Sequence, residues 1–287
     1  MSDRESNAPS GPATTPQWPE STFTHETDPD LHAHGARWEP FVDDPEVLYD
    51  YLAFIAPQAV VTSRTVTSPF EREEPAHWPK GRRRVYPDTT QGLAFVIEES
   101  EKVLESMFPF FATGTRCTLT LRSVTVWANG LEAQIHANWG PAPVTFFDTE
   151  FVLNRSLYEA GKSYDFVLTG IAYSAVPMSD DVGTEDDVPD PDGRPKVRLE
   201  GFTVPLPGGR ESDDYLFRAT IKSVTPFSDW LGQDGWRVCG TVMRFDDADA
   251  DLEIAITKRA WEGSEPPRVG QDIIVHFWLQ GFLAKVH

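Results

Sequence analysis

Few side chains in this sequence combine a reactive type with a useful spacing, and each has an ordinary structural role to set beside the chemical one. Phe147-Asp148-Thr149-Glu150 places two carboxylates at the end of a strand-like segment. Such a pair does acid–base work when burial splits its two pKa values, and otherwise ends a strand in solvent. His136 and His276 fall in alternating segments, one in each half of the C-terminal region. They form a convergent imidazole pair if the halves face each other there, and are plain strand histidines if they do not. Trp127, Trp236 and Trp278, with Trp139, Trp230 and Trp261, would make a stacking platform for bases or sugars on an exposed face. In a small β fold they are expected to fill the core instead. Trp127, His136, Asp148, Trp236, His276 and Trp278 are therefore the candidate ligand-binding residues, and no catalytic residue is assigned.

The remaining motifs fall short of their chemistry. Asp246-Asp247-Ala248-Asp249-Ala250-Asp251 opens like a calcium loop, but counting from Asp247 the sixth residue is Leu252 and the twelfth Lys258. Glycine is needed at the first of these for the turn, and a bidentate glutamate at the second. A solvated hairpin tip is expected. His32-Ala33-His34 brings two imidazoles together without a third ligand at metal spacing. Arg82-Arg83-Arg84, close to Lys80, could grip a phosphate, but Glu71, Glu73 and Glu74 nearby are expected to neutralise it. There is no Gly-x-Ser-x-Gly elbow and no glycine-rich phosphate loop. No metal and no cofactor is expected.

These residues must be positioned by a chain of 287 residues with a formal net charge of -20. That field opposes binding to phosphate backbones and anionic lipid, so duplex nucleic acid and membrane surfaces are disfavoured and a basic protein partner is favoured. Two cysteines, Cys117 and Cys239, do not make a disulfide framework and fit a reducing compartment. The first twenty residues lack the basic and apolar regions of a signal peptide, and no apolar run approaches the about 20 residues that span a bilayer. A cytoplasmic protein is expected.

Residues 1–42 read as a disordered acidic tail, rich in Ser, Thr, Pro, Asp and Glu. Residues 43–116 read as a helix and strand region packed on the first barrel. Asp44 caps a helix with Pro45 in its first turn; Val47, Leu48, Tyr51, Leu52 and Ile55 share one face, and Pro57 ends it. Ala59 to Thr67 reads as a strand and residues 69–90 as a charged loop. Leu93 to Ile97 fits strand or helix, and Glu98 to Met107 fits a helix with Val103, Leu104 and Met107 inward.

From Cys117 the pattern changes to short alternating segments separated by Gly, Pro, Asn and Asp, the mark of a barrel or sandwich. The first β module, residues 117–178, holds strands at Cys117–Trp127, Leu131–Asn138, Val144–Phe147 and Tyr164–Ser174. The second, 214–287, holds them at Tyr215–Thr225, Trp236–Phe245, Leu252–Thr257 and Asp272–Leu283. Between them residues 179–213 carry ten Asp or Glu against four Lys or Arg and read as an acidic connector.

The two modules share local sequence. Leu121-Arg122-Ser123-Val124-Thr125 matches Ile221-Lys222-Ser223-Val224-Thr225, and Ala160-Gly161-Lys162 and Val269-Gly270-Gln271 each precede the last strand. A duplication is expected, in a mainly β protein with a small N-terminal α/β part and two tandem barrel modules. In its element order each module resembles an oligonucleotide/oligosaccharide-binding barrel. Three functions are expected in turn: a non-enzymatic interaction protein with a basic protein partner; an enzyme of hydrolase type with a site between the modules; and a barrel pair that binds single-stranded nucleic acid or saccharide.

Overall fold

A computed structural model describes residues 22–28, 34–44, 46–68, 72–100, 102–178, 202–205, 212–245 and 249–287. The fold is mainly β, in two sheets. The strands are β1 (Phe23–His25), β2 (Val60–Val61), β3 (Gly81–Pro87), β4 (Gln91–Glu98), β5 (Val103–Phe111), β6 (Thr115–Val126) and β7 (Ala133–Trp139). They continue with β8 (Ala142–Asp148), β9 (Ser163–Pro177), β10 (Phe202–Pro205), β11 (Asp214–Trp230), β12 (Gln233–Arg244), β13 (Asp249–Thr257) and β14 (Asp272–Val286). Helix α1 covers Glu46–Ile55 and the short α2 Phe151–Asn154.

The small sheet runs β2-β3-β4-β5, all antiparallel. The expected helix over Glu98–Met107 is instead a hairpin of β4 and β5. Val103, Leu104 and Met107 suit helical spacing, but Phe108, Phe110 and Phe111 carry the burial, and a bulge between Val96 and Ile97 hides the strand period. Pro109 is tolerated because β5 ends the sheet order, where no ladder hydrogen bond is asked of one side. The charged loop expected over 69–90 likewise contains β3. Its alternation is real, but the inward positions are Arg83 and Val85, and a buried arginine disguises it. The strand expected over Ala59–Thr67 shortens to β2. Leu48, Leu52 and Ile55 of α1 pack into the same apolar cluster as β3 to β5.

All eight strands expected between Cys117 and Leu283 are present, most of them longer than expected. In the large sheet β6 pairs with β7 and β9, β7 with β8, and β8 with β14 in parallel. Correspondingly β11 pairs with β12 and β14, β12 with β13, and β13 with β9 in parallel. The long strands β9 and β14 pair with each other from Tyr164–Val286 to Pro177–Ile273. Local details repeat as well. The β6–β7 register slips between Leu121 and Ser123, and the β11–β12 register between Ile221 and Ser223. Gly161 and Gly270 adopt φ of 83° and 85°, and each donates its N–H to the matching carbonyl, Leu121 or Ile221, at 2.8 Å.

One apolar cluster fills the interior of both halves, from Cys117 to Leu283. A second lies between the two sheets and joins Val85, Phe95, Phe108 and Phe110 to Trp127, Phe147, Ile171, Ala255 and Trp278. The small sheet thus touches both halves of the large one. Of the residues expected in a disordered tail, Arg37, Trp38 and Phe41 are buried, because they plug the edge of this second cluster. Most of the expected connector, residues 179–213, lies outside the described residues. Cys117 and Cys239 are free thiols, one buried and one half-buried. No helix among the described residues is long and apolar enough to cross a membrane.

The contact of β9 with β14 sets a tight limit on side-chain size. A Cβ on Gly281 would lie 2.6 Å from Leu168 Cδ2 and 2.9 Å from the Val167 carbonyl oxygen, a backbone atom that cannot yield. We expect Gly281→Ala to lose about 1–3 kcal/mol of stability, read as a lower urea midpoint at unchanged slope. A midpoint at or above the wild-type value would refute this account of the contact.

Candidate functional site

The richest polar arrangement lies in the cleft between the sheets and is centred on Arg37. A 3-10 turn, Gly35–Trp38, carries this side chain into the cleft, where only 2% of it is exposed. One guanidinium nitrogen donates to Asp213 Oδ1 at 3.0 Å, and the other to Asp214 and the Tyr173 hydroxyl. The guanidinium carbon stands 4.7 Å from the Trp278 ring centre and 5.8 Å from that of Tyr173. The receiving groups are themselves fixed: Trp278 Nε1 donates to Asp213 Oδ2 at 2.9 Å, and Tyr173 Oη to Asp214 Oδ1 at 3.0 Å. The β11–β14 register places Asp214 opposite Trp278, which brings acid and indole together. Two carboxylates, a phenol and an indole face thus hold the planar guanidinium of Arg37.

His34, one turn earlier, enters an aromatic box. Its ring centre lies 5.0–5.1 Å from those of Phe108, Trp127 and Phe147 and 5.9 Å from that of Trp278. Its Nε2 is 2.8 Å from Glu132 Oε1. Glu132 is buried and also accepts from Ser106 Oγ and Asn129 Nδ2, each at 2.7 Å. Asn129 Oδ1 takes the N–H of Leu131 and of Glu132, closing the turn that presents this carboxylate.

A second polar group lies where β8 runs into α2. Asp148, 2% exposed, accepts from Tyr158 Oη at 2.5 Å and from the Glu150 N–H at 2.9 Å. Burial outweighs both hydrogen bonds and pushes its carboxyl up to about 7. Burial also raises the Glu150 carboxyl and lowers the Arg83 guanidinium, whose Nη1 is 3.7 Å from Glu150 Oε1. Arg83 lies 4.8 Å over the Phe110 ring.

The six residues singled out in the sequence do not converge. Trp127 and Trp278 meet, through Phe147, in the box around His34. Asp148 belongs to the Tyr158 group. His136 sits on the face of β7 between the hydroxyls of Thr125 and Thr145, at 2.8 and 2.9 Å, and burial lowers its pKa. His276 lies 4.7 Å from the Tyr173 ring, with its pKa also lowered by burial. Trp236 is half-buried, 6.3 Å from Trp261.

Arg82 and Arg83 are neutralised as expected, but by Glu99 and Glu150 rather than by the glutamates before the strand. Asp249 and Asp251 hold Lys222 at 3.2 and 2.6 Å. Among the described residues no group of His, Cys, Asp and Glu is placed to hold a metal ion. Arg37, Tyr173, Asp213, Asp214 and Glu132 escaped the sequence reading. The one available signal was the clustering of Arg37, Trp38 and Phe41 just before the helix cap, bulky residues in a segment that otherwise reads as a tail. No known protein family, no curated protein and no solved structure matches this chain.

Asp148 makes stability depend on pH. The folded carboxyl keeps its proton to about 7, whereas an unfolded aspartate releases it near about 3.9. The folded state therefore binds the extra proton between these values, and the contribution is complete below the lower one and lost as pH rises through the upper. We expect the stability of wild type minus that of Asp148→Asn to fall by on the order of 1 kcal/mol per pH unit across that window. Urea midpoints of both proteins at a series of pH values check this, and parallel curves would contradict it.

Proposed function

We propose that this chain is a non-enzymatic binding protein that engages a basic protein partner, with the acid and aromatic cleft between the sheets as its receptor. The observation that carries this reading is the reception of Arg37 by Asp213, Asp214, Tyr173 and Trp278. The segment that delivers Arg37 is held like a docked peptide. Its backbone hydrogen bonds close on itself, from Arg37 to His34, Glu39 to Ala36, and Phe41 and Val42 to Trp38. Side chains of the body then hold its carbonyls: Arg259 at Glu39, Thr257 at Pro40 and Gln233 at Phe41, at 2.8, 2.9 and 3.2 Å. A partner segment presenting an arginine beside an aromatic residue offers the same groups and competes for the same place.

Charge points the same way. The net charge is -20, and the bases Arg37, Arg72, Arg155, Arg237, Lys258 and Arg259 are all spent on internal ion pairs. A partner that gains from this field is basic. The hydrolase reading draws no support from His136, Asp148 and His276, which lie in three separate groups. Recognition of single strands or sugars draws none from Trp127, Trp230, Trp261 and Trp278, which are buried. For the fold itself, we propose that β6–β9 and β11–β14 are duplicated barrel modules with the strand order of an oligonucleotide/oligosaccharide-binding barrel. The matched register slips and the matched turns at Gly161 and Gly270 support that origin. A cytoplasmic location belongs to the same proposal, on the cysteine usage and composition.

The test is titration calorimetry of the full chain carrying Arg37→Ala, which leaves Asp213 and Asp214 without their cation and costs about 3–5 kcal/mol of stability. A synthetic peptide of residues 34–44 should bind this variant, more weakly as salt rises, and about tenfold or more tighter than the same peptide carrying Arg37→Ala. Equal binding of the two peptides, or none, would overturn the proposal and leave the segment a purely structural lock.

A further inference from the structure

On the side of the large sheet's interior, away from the cleft, the two halves line a pocket of about 180 Å³ that is partly open to solvent. Its walls come in matched pairs. Setting Ser123 on Ser223 in the slipped hairpins sets their ladder partners His136 and Cys239 together, and three residues on sets Trp139 against Val242. The next ladder sets Val144, opposite Ala137, against Leu252, opposite Gly240. All four residues line the cavity, with Phe277 and Leu279. Setting Gly161 on Gly270 sets Gly170 on Leu279, and these two are also ladder partners. A local two-fold axis therefore passes between Gly170 and Leu279, and the cavity lies beside it.

We propose that this cavity binds one small, uncharged apolar molecule, of the size of a single aromatic ring. The lining is hydrophobic but for the indole N–H of Trp139 and the hydroxyl of Tyr215, which donates to the Thr145 carbonyl at 3.0 Å and accepts the Thr145 N–H at 2.8 Å. With that hydroxyl satisfied, the walls offer no charged group and a single indole donor, so an uncharged, largely apolar ligand is favoured. A closed, dry apolar cavity of about 150 Å³ takes benzene or xenon, and this partly open pocket has comparable room for one ring. Val242, Leu252, Phe277 and Leu279 are buried, so the shape is set by packed core, while half-buried Met243 at the wall can adjust to the occupant. The ligand would touch both halves at once, so its binding holds them together. This inference does not depend on the basic-partner reading, because the cleft and the cavity lie on opposite sides of the large sheet and share no lining residue.

The experiment is thermal unfolding of the full chain with increasing toluene, beside Trp fluorescence of wild type and of Trp139→Phe. A saturable rise in melting temperature, with a fluorescence change present in wild type and absent in Trp139→Phe, is the expected result. Val242→Phe, or Leu252→Phe if the first fails to fold, fills the space and should weaken toluene binding by about tenfold or more. No saturable shift in wild type would overturn the proposal. An undiminished shift in a folded cavity-filled variant would overturn it too, by placing the binding elsewhere.

Discussion

The pairing of β9 with β14 is the constraint on which everything else in the molecule depends. Each strand is 15 residues long, far beyond an ordinary strand. Length is needed because each strand serves two neighbours. The first part of β9 pairs with β6 and its middle lies parallel to β13, while β14 does the same with β11 and β8. Separated from the other, each half would expose the edge of its third strand and an open end of its core. Joined, they share one apolar interior. Gly170 and Gly281 allow the close approach, since a side chain at either would strike Phe277 or Leu168.

The same seam sets up the cleft. Phe147, Ile171, Ala255 and Trp278 lie on the outer side of the four strands that meet there, and together they give the small sheet an apolar floor. Polar groups gather at the rim of that floor. Burying Arg37 against Asp213 and Asp214 is costly in desolvation, and the attraction offsets that cost only when the remaining donors and acceptors are occupied. Here Trp278 Nε1 occupies the second oxygen of Asp213, and the Tyr173 hydroxyl links the guanidinium to Asp214. Removing the guanidinium alone would leave a buried and a half-buried carboxylate without their cation, so the three groups are kept together or not at all.

The strands after Cys117 were legible because each has one face in a shared core and, over part of its length, the other in solvent, the condition under which period two survives in a sequence. The small sheet was not, because its inner strand β4 is covered on both sides and a buried arginine breaks the pattern of β3. Leu93 to Val96 are all buried, so they show no period, and Arg83 occupies an inward position that its charge would assign to solvent. The cleft was illegible for a different reason. Arg37 and Asp213 are 176 positions apart, and neither has a local pattern that betrays burial. Asp148 stood out as a carboxylate at a strand end, but whether such a group faces water or core depends on the ladder with β14, which no local window contains.

Asp148 also shows how the two halves diverge at a shared corner. The register that sets Gly161 on Gly270 also sets Ile171 on Gln280, so their parallel partners Ala255 and Phe147 correspond, and Ile256 takes the place of Asp148. Ile256 is fully buried, so packing at this position asks only for an apolar side chain. In the second half the next turn is closed by a hydroxyl, Thr257 Oγ1 accepting the Ala260 N–H at 3.1 Å. In the first, Asp148 accepts the Glu150 N–H and holds Tyr158 inside the core. Both groups close their turns as acceptors, but the carboxyl is one that burial holds protonated up to about 7. At this corner the first half thus buries an ionisable group beside α2 and Arg83, where the second half buries an isoleucine that carries no charge at any pH.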